Sequence, residues 1–295
     1  MTEGQLKATL LGTCTPSPRI DRFGISTLIE AGDQKLIIDC GREAIQRLEQ
    51  LDISFNDVDK LFLTHLHSDH IVGNPDLLLT GWIFGRHVPF RVWGPDGTRN
   101  LMSHLVEAFE FDIHIRRDVD EMLPAEGVRV EVVEVEEDFS YEGNGLKLTV
   151  FKVDHQPVEP AFRVRIEYQG KVVVLSGDTR PSENLIKFAR GADLLIHEVA
   201  APREFVQRTK GRLPPEMQQK VIAHHTTPQQ AGAIFSRVRP KLAVYSHFSA
   251  GEAGIEEILV DTKKTYDGAF EVGYDLMAIE VGDEIKVVPS PALER

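Results

Sequence analysis

The sequence predicts an α/β fold of two mixed sheets packed face to face with helices on the outside, a four-layer αββα sandwich. Three observations carry this. Apolar and β-branched runs dominate both ends of the 295-residue chain, and helical segments lie between them. Residues suited to one metal-binding chemistry are spread from position 65 to position 247, so one folding unit must gather them. No Ser/Gly/Pro-rich linker and no low-complexity segment divides the chain, which is therefore read as a single domain over 1–295.

Strands are expected near 6–12, 25–31, 35–39, 60–64 and 90–93, where short apolar runs such as Leu61-Phe62-Leu63 read as buried strands. Others fall near 128–135, 146–153, 162–168, 171–176, 193–197, 241–245, 270–280 and 284–288. The segments 162–166 and 171–175 read as a hairpin about a Gln169-Gly170 turn. Helices are expected near 43–51, 71–80, 98–110, 183–190, 227–236 and 253–264. The helix near 227 has Thr227 as its expected N-cap and Pro228 at its first position, where a missing N–H costs nothing.

The segment Thr64-His65-Leu66-His67-Ser68-Asp69-His70 places three imidazoles and one carboxylate within six residues, directly after a buried strand. On extended backbone His65 and His67 project to one side. A turn into a helix near His70 brings Asp69 and His70 to a neighbouring point. Neutral nitrogens with an anionic oxygen suit divalent metal, zinc above all. The spacing is too short for one tetrahedral site to use all four, so two metals side by side are expected. Further ligands must come from downstream. His155, Asp178 and His247 each close an aliphatic run (LTVFKV, KVVVLSG, KLAVYS) and so sit where a strand gives way to a loop, a usual place for chemistry in α/β folds.

His-x-His-x-Asp-His, then a lone His, a Gly-Asp and a final Ser-His, in that order, resemble the metallo-β-lactamase superfamily. Leu10-Leu11-Gly12-Thr13-Cys14-Thr15-Pro16, Leu36-Ile37-Ile38-Asp39-Cys40-Gly41 and His225-Thr226-Thr227 resemble its ribonuclease Z and arylsulfatase-like branch, and the resemblance runs from about 6 to about 288. It implies the αββα fold and a ligand set. One divalent ion, zinc with manganese or iron as substitutes, would take His65, His67 and His155. A second would take Asp69, His70 and His247. Asp178 and a hydroxide would bridge them. Asp69, Glu198 and His225 are the implied catalytic residues, with Glu198 and His225 forming a carboxylate–imidazole pair for proton transfer. Asp39 would steady the histidine loop from behind.

The resemblance is incomplete in one respect. Ribonuclease Z members carry a long Gly/Pro-rich arm that clasps tRNA, often between the lone His and the bridging Asp. Here that interval holds only the hairpin. Net charge is −13, from 46 acidic and 33 basic residues, and no Lys/Arg-rich run is present. Nucleic-acid affinity rests largely on cations that neutralise phosphates. The acidic stretch Glu131–Asp138 reads as a solvated strand face. The expectation is therefore a binuclear hydrolase attacking a small carboxyl ester, lactone, phosphodiester or sulfate ester, with a small-molecule substrate and nucleic acid unlikely. The alternative is a ribonuclease Z-like phosphodiesterase acting on tRNA 3′ ends. A ligand-depleted scaffold and a diiron oxygen-handling enzyme are the remaining readings. Filled metal positions oppose the first, and His67, where diiron relatives carry an acid, opposes the second.

Around the centre, Phe248 beside His247 is expected to face the cavity. Trp82-Ile83-Phe84 is either core or pocket wall. The polar, Pro/Gly-bearing stretch from Pro202 to Ala223 is expected to be an irregular lid or a subunit contact, the latter in a possible homodimer. Cys14 and Cys40 read as buried structural thiols. No cleavable signal and no stretch near 18 apolar residues is present, so no membrane contact and a cytoplasmic location are expected.

Overall fold

A computed structural model of the chain describes residues 5–248 and 250–289. The first half runs β1 (Leu6–Gly12), β2 (Ser26–Ala31), β3 (Gln34–Cys40), α1 (Ala44–Gln50), β4 (Lys60–Phe62), α2 (Ser68–Ile71), α3 (Asn74–Ile83), β5 (Phe90–Gly94), α4 (Thr98–Ala108), α5 (Glu110–His114), α6 (Ala125–Val128) and β6 (Val130–Glu134). The second half runs β7 (Ser140–Gly143), β8 (Leu146–Lys152), β9 (Phe162–Tyr168), β10 (Lys171–Leu175), α7 (Glu183–Phe188), β11 (Leu194–Glu198), α8 (Pro202–Thr209), α9 (Pro215–Ala223), α10 (Pro228–Val238), β12 (Leu242–Ser246), α11 (Glu252–Thr262), β13 (Phe270–Val272), β14 (Ala278–Val281) and β15 (Ile285–Val288).

These strands form two mixed sheets, in the orders β15-β14-β1-β2-β3-β4-β5-β6 and β13-β12-β11-β10-β9-β8-β7. Alternation along the strands decides the layering. Leu10, Ile38 and Phe62 of the first sheet meet Val164, Leu175 and Ile196 of the second in one core between the sheets. The opposite faces are covered by helices: Leu48 and Leu77 pack over the first sheet, and Ile186, Phe235 and Ile258 over the second. Each fully buried aliphatic side chain contributes roughly 1.5–3 kcal/mol relative to exposure. The αββα sandwich is thus the observed architecture. The hairpin between β9 and β10 is also as expected, with Gln169 and Gly170 both at positive φ (46° and 75°), the backbone a two-residue turn requires.

Three expectations need correction. The single strand expected at 270–280 is two. β13 pairs with β12 in one sheet and β14 with β1 in the other, and the chain crosses between sheets through Asp275, which accepts from Thr13 and Arg47. The helix expected at 71–80 is two short helices broken at Val72–Gly73. The stretch 202–223 is not irregular: it is α8 and α9, each opening with a proline in its first turn. Of the two readings left open for Trp82-Ile83-Phe84, core holds for Trp82, which packs with Ile113 and Val128 and donates its indole N–H to the Pro124 carbonyl, while Phe84 is exposed. Cys14 and Cys40 are both buried, and burial pushes the Cys40 thiol pKa up. Among the described residues no helix is long and apolar enough to cross a membrane.

Candidate metal centre

Strand ends deliver the polar side chains to one edge of the sandwich. Parallel β3 and β4 end at Asp39 and at the Thr64–His67 loop, and parallel β10, β11 and β12 lead to Asp178, Glu198 and His247. β8 leads to His155. The first histidine segment is loop rather than strand, since β4 ends at Phe62, and His67 is the N-cap of α2. A backbone bond from Phe162 N to the Thr64 carbonyl (2.9 Å) stitches this loop to the second sheet. Close packing also fixes it. A Cβ on Gly41 would lie 2.7 Å from the Asp69 carbonyl and 2.6 Å from the Gly24 carbonyl carbon, so only glycine lets these backbones meet.

Seven expected ligands converge. His65, His67, His155 and Asp178 form one group of mutually close ligand atoms, and Asp69, His70 and His247 form another. Asp178 stands between them: its Oδ2 is 3.5 Å from His70 Nε2, 3.7 Å from His155 Nε2 and 3.9 Å from His65 Nε2, and its Oδ1 is 3.0 Å from His247 Nδ1. Asp69 Oδ2 lies 3.2 Å from His247 Nε2, and His65 Nε2 is 2.9 Å from His67 Nδ1. All are buried except His67, which is exposed in the cleft. Donors at zinc bond lengths of about 2.0–2.1 Å sit roughly 3–3.5 Å from one another. The observed spacings lie near that range.

The donor atoms fit a divalent ion on a second ground. His70 Nε2 and His155 Nε2 are buried without a hydrogen-bond partner, and His247 Nδ1 and Asp178 Oδ1, though 3.0 Å apart as an ion pair, do not meet in hydrogen-bond geometry. Such atoms are costly unless something else satisfies them. The other ring nitrogens are held. His70 Nδ1 donates to Asp39 Oδ2 (2.8 Å), and His155 Nδ1 donates to the His224 carbonyl (3.2 Å). Thr64 Oγ1 donates to Asp39 Oδ2 (2.7 Å) and lies 3.0 Å from His65 Nδ1, while Asp39 Oδ1 accepts from Thr64 N (2.8 Å). This network fixes the tautomers that leave Nε2 of His65 and His70 facing inward.

Charge within the cluster is redistributed accordingly. Burial holds His65 well below the ordinary imidazole pKa and His155 down to about 3. Burial also opposes the charged form of His70 and His247, but the carboxylates win: Asp39 and Asp178 raise His70 to about 9, and Asp178 and Asp69 raise His247 well above its usual value. Asp178 is pulled well below the carboxylate range, its burial outweighed by His247 and His70.

Glu198 ties three segments together. Oε1 accepts from Thr179 N (3.1 Å) and Thr226 N (3.0 Å), and Oε2 lies 3.1 Å from His225 Nδ1. His225 also falls in a third close group with Asp178 and His247. Its pKa is raised: burial works against the charge, and the Glu198 carboxylate outweighs it. These residues floor a cleft of about 350 Å³ whose walls include Phe205 of α8, Leu213, Val221 and Ile222 of α9, and Phe248. Phe248, expected to face the cavity, borders it but is itself buried, its ring under the Arg22 guanidinium. The sequence reading missed Arg163, fully buried beneath the Asp178 turn. A Cβ on Gly177 (φ +42°) would lie 2.8 Å from its guanidinium, whose Nε and Nη2 have no hydrogen-bond partner. Arg163, alternating with Arg165 in the apolar run Phe162-Arg163-Val164-Arg165-Ile166, was the available signal.

A family model described as "Anti-Pycsar protein Apyc1" matches residues 6–237, which include every candidate ligand except His247. A ribonuclease Z of Mycolicibacterium gilvum (strain PYR-GCK) is 33% identical over 97% of this chain and 99% of its own, and one of Mycobacterium bovis (strain BCG / Pasteur 1173P2) is 34% identical over 94% and 98%. Among solved structures, the metallo-β-lactamase fold protein YhfI of Bacillus subtilis superposes with a TM-score of 0.71 at 17% identity, covering 94% of this chain and all of its own. Human tRNase Z, short form, superposes with a TM-score of 0.66 at 21% identity, covering 94% and 99%.

The relatives correct one expectation. A small-molecule substrate with nucleic acid unlikely does not stand beside end-to-end relatives named ribonuclease Z. The physical reason is that net charge sums over the whole surface, whereas binding follows the field at one cleft. Part of the acidic run is β6, at the outer edge of its sheet, while Arg180 is tied to the Ala223 and Gln156 carbonyls beside the centre. The short hairpin removes a grip between His155 and Asp178; it leaves the reacting groups untouched.

Proposed function

The chain belongs to the metallo-β-lactamase superfamily, within the family described as Anti-Pycsar protein Apyc1 and on the ribonuclease Z-like branch, and from that premise we propose that it is a binuclear phosphodiesterase acting on tRNA 3′ ends. It is a metal-dependent hydrolase with His/Asp clusters suited to divalent ions. The observation that carries the finer reading is the meeting of two ligand groups at Asp178, with the Glu198–His225 pair beside them in one cleft.

His65, His67 and His155 would hold one ion and Asp69, His70 and His247 the other, with Asp178 shared. Zinc suits a set of imidazole and carboxylate without thiolate. Ions held there would make a nucleophile of water near neutral pH and offset charge on the phosphoryl oxygens. The chain's own groups do the rest. Asp39 keeps the histidine rings in register through His70 and Thr64. When the P–O bond breaks, the departing oxygen needs a proton, and His225 supplies it while Glu198 holds Nδ1 and stabilises the ring. Asp69 keeps His247 oriented toward the same point. One domain holding all of these groups is part of the proposal.

The test is cleavage of a precursor tRNA by zinc-loaded protein. A 3′ product with a sharp end, absent for Asp178→Ala, is the expected result; an intact precursor refutes the tRNA reading. A second reading follows the family description, an anti-Pycsar role served by the same phosphodiester chemistry. Intact precursor tRNA together with hydrolysis of bis(p-nitrophenyl) phosphate would favour it.

A further inference from the structure

We propose that Arg163 makes the two ion sites unequal: its buried guanidinium, acting from behind the ligands, weakens the hold of His65, His67 and His155 on a divalent ion, so that this site fills last and empties first. The inference rests on the binuclear assignment above and concerns a group that assignment does not use.

Arg163 is a bare charge. It is fully buried on β9. Nη1 donates to the Phe162 carbonyl (2.5 Å), while Nε and Nη2 have no hydrogen-bond partner, and among the described residues the guanidinium forms no ion pair. Burial lowers its pKa to about 10 against the pull of Asp178, Asp39 and Glu198, so it stays charged at neutral pH. Those carboxylates are engaged elsewhere: Asp39 with Thr64 and His70, Glu198 with Thr179, Thr226 and His225. The Gly177 turn lies directly against the guanidinium and fixes it in place.

The charge stands behind one half of the centre. β9 pairs with β8, where Arg163 faces Phe151, and with β10, where Val164 faces Leu175. β8 leads to His155 and β10 to Asp178, whereas β12, which leads to His247, is three strands away. The bond from Phe162 N to the Thr64 carbonyl (2.9 Å) brings the residue before His65 to the same place. Burial and, more weakly, Arg163 oppose a proton on His65 and on His155. Coulomb energy scales with the product of the charges, so Arg163 opposes a doubly charged ion there more strongly than a proton.

The two ligand sets differ in the same sense. His65, His67 and His155 are neutral donors, and the one carboxylate in their group is the shared Asp178. The other set has Asp69 of its own, and Asp39 stands behind His70 (2.8 Å). The field that holds a proton on His70 draws a doubly charged ion more strongly still. One set is thus anionic with a carboxylate behind it, and the other is neutral with a guanidinium behind it. His67, exposed in the cleft, also gives the weaker site an open path to solvent.

Two measurements on metal-free protein test this. In crystals of protein given one equivalent of zinc, anomalous scattering should place the ion among Asp69, His70 and His247. Competition with a chelator at one fixed pH gives two dissociation constants. The weaker should tighten in Arg163→Met, on the order of 10-fold or more for removal of a unit charge near a doubly charged ion, and the tighter should change less. Arg163→Lys keeps the charge and should stay near the unaltered protein. A packing role alone predicts the opposite sign, with the weaker ion lost more readily in Arg163→Met. If Arg163→Met does not fold, occupancy at one equivalent in the unaltered protein decides. One equivalent found among His65, His67 and His155, or two equal constants, overturns the inference and leaves the two-ion reading intact. A weaker constant that is unchanged or loosened in Arg163→Met removes Arg163 as the cause. Fewer than two ions bound overturns both.

Discussion

Oε2 of Glu198 lies 3.1 Å from Nδ1 of His225, so the carboxylate holds one ring nitrogen and the ring lines the cleft. The same carboxylate accepts Thr179 N, one residue past Asp178, and Thr226 N, one residue past His225. Glu198 therefore ties the segment of Asp178 to the segment of the His225 imidazole.

His225→Ala is expected to lower turnover by roughly 10²- to 10⁴-fold on a substrate with a poor leaving group, the usual span for a general acid. The loss should shrink for nitrophenolate, which departs without a proton. Glu198→Gln should act in the same direction more mildly. Turnover of both variants on one good and one poor leaving group checks this. Equal losses on both would show that His225 is not the proton donor.

Asp178→Ala should abolish hydrolysis and loosen both ions, because both ligand groups border its carboxylate. Asp39→Ala should weaken metal binding or activity on the order of 10- to 100-fold, since His70 and Thr64 lose their anchor. Elemental analysis after dialysis reads both. Two tightly held ions in Asp178→Ala would end the shared-ligand assignment.

Gly41→Ala tests the packing beneath the centre. The added Cβ meets backbone atoms of Gly24, Ile25 and Asp69 at 2.6–2.7 Å, and none of them is a flexible side chain. A stability loss of roughly 1–3 kcal/mol is expected from overpacking. Metal affinity should fall with it, because the displaced segment carries Asp69. A thermal melt with and without zinc measures both, and an unchanged melting temperature in both states would contradict the account.

The residues that the structure gathers into two close groups of potential ligand atoms were legible because short His/Asp motifs point to one local chemistry. What the sequence hid depends on context. Pro202 and Pro215 look like breakers, yet each opens a helix, where its fixed φ is an asset, so a wall of the cleft was taken for irregular chain. The 270–280 run is apolar enough for one strand. It divides because Asp275 is drawn into the buried network with Thr13, Phe23 and Arg47, and Leu276 takes positive φ (68°). Arg163 gave a charge at a strand position and no hint that a glycine turn would lie on it. Substrate was misread for a related reason: a sum of charges carries no positions.

Metal affinity should depend on pH in a direction set by His70. In the metal-free protein, burial opposes its charged form, but Asp39 and Asp178 raise its pKa to about 9, against 6.5 for an ordinary imidazole. Protonated His70 thus stabilises the metal-free fold. That contribution is complete below 6.5, declines as pH rises from there, and is lost through about 9. Nδ1 keeps its proton in the bond to Asp39, so the proton that leaves is the one on Nε2, the nitrogen facing Asp178. An ion that uses Nε2 must displace that proton. Apparent affinity should therefore climb between pH 6.5 and about 9, by about tenfold per unit for each proton released, and level off above. His247, also raised by Asp178 and Asp69 against its burial, adds to the same slope. Chelator competition across this range, with proton release followed by an indicator dye, gives both quantities. Asp39→Asn should flatten the curve, because a neutral amide no longer favours the imidazolium. Affinity that is constant from pH 6.5 to 9, with no proton released on zinc binding, would show that His70 Nε2 is not a ligand.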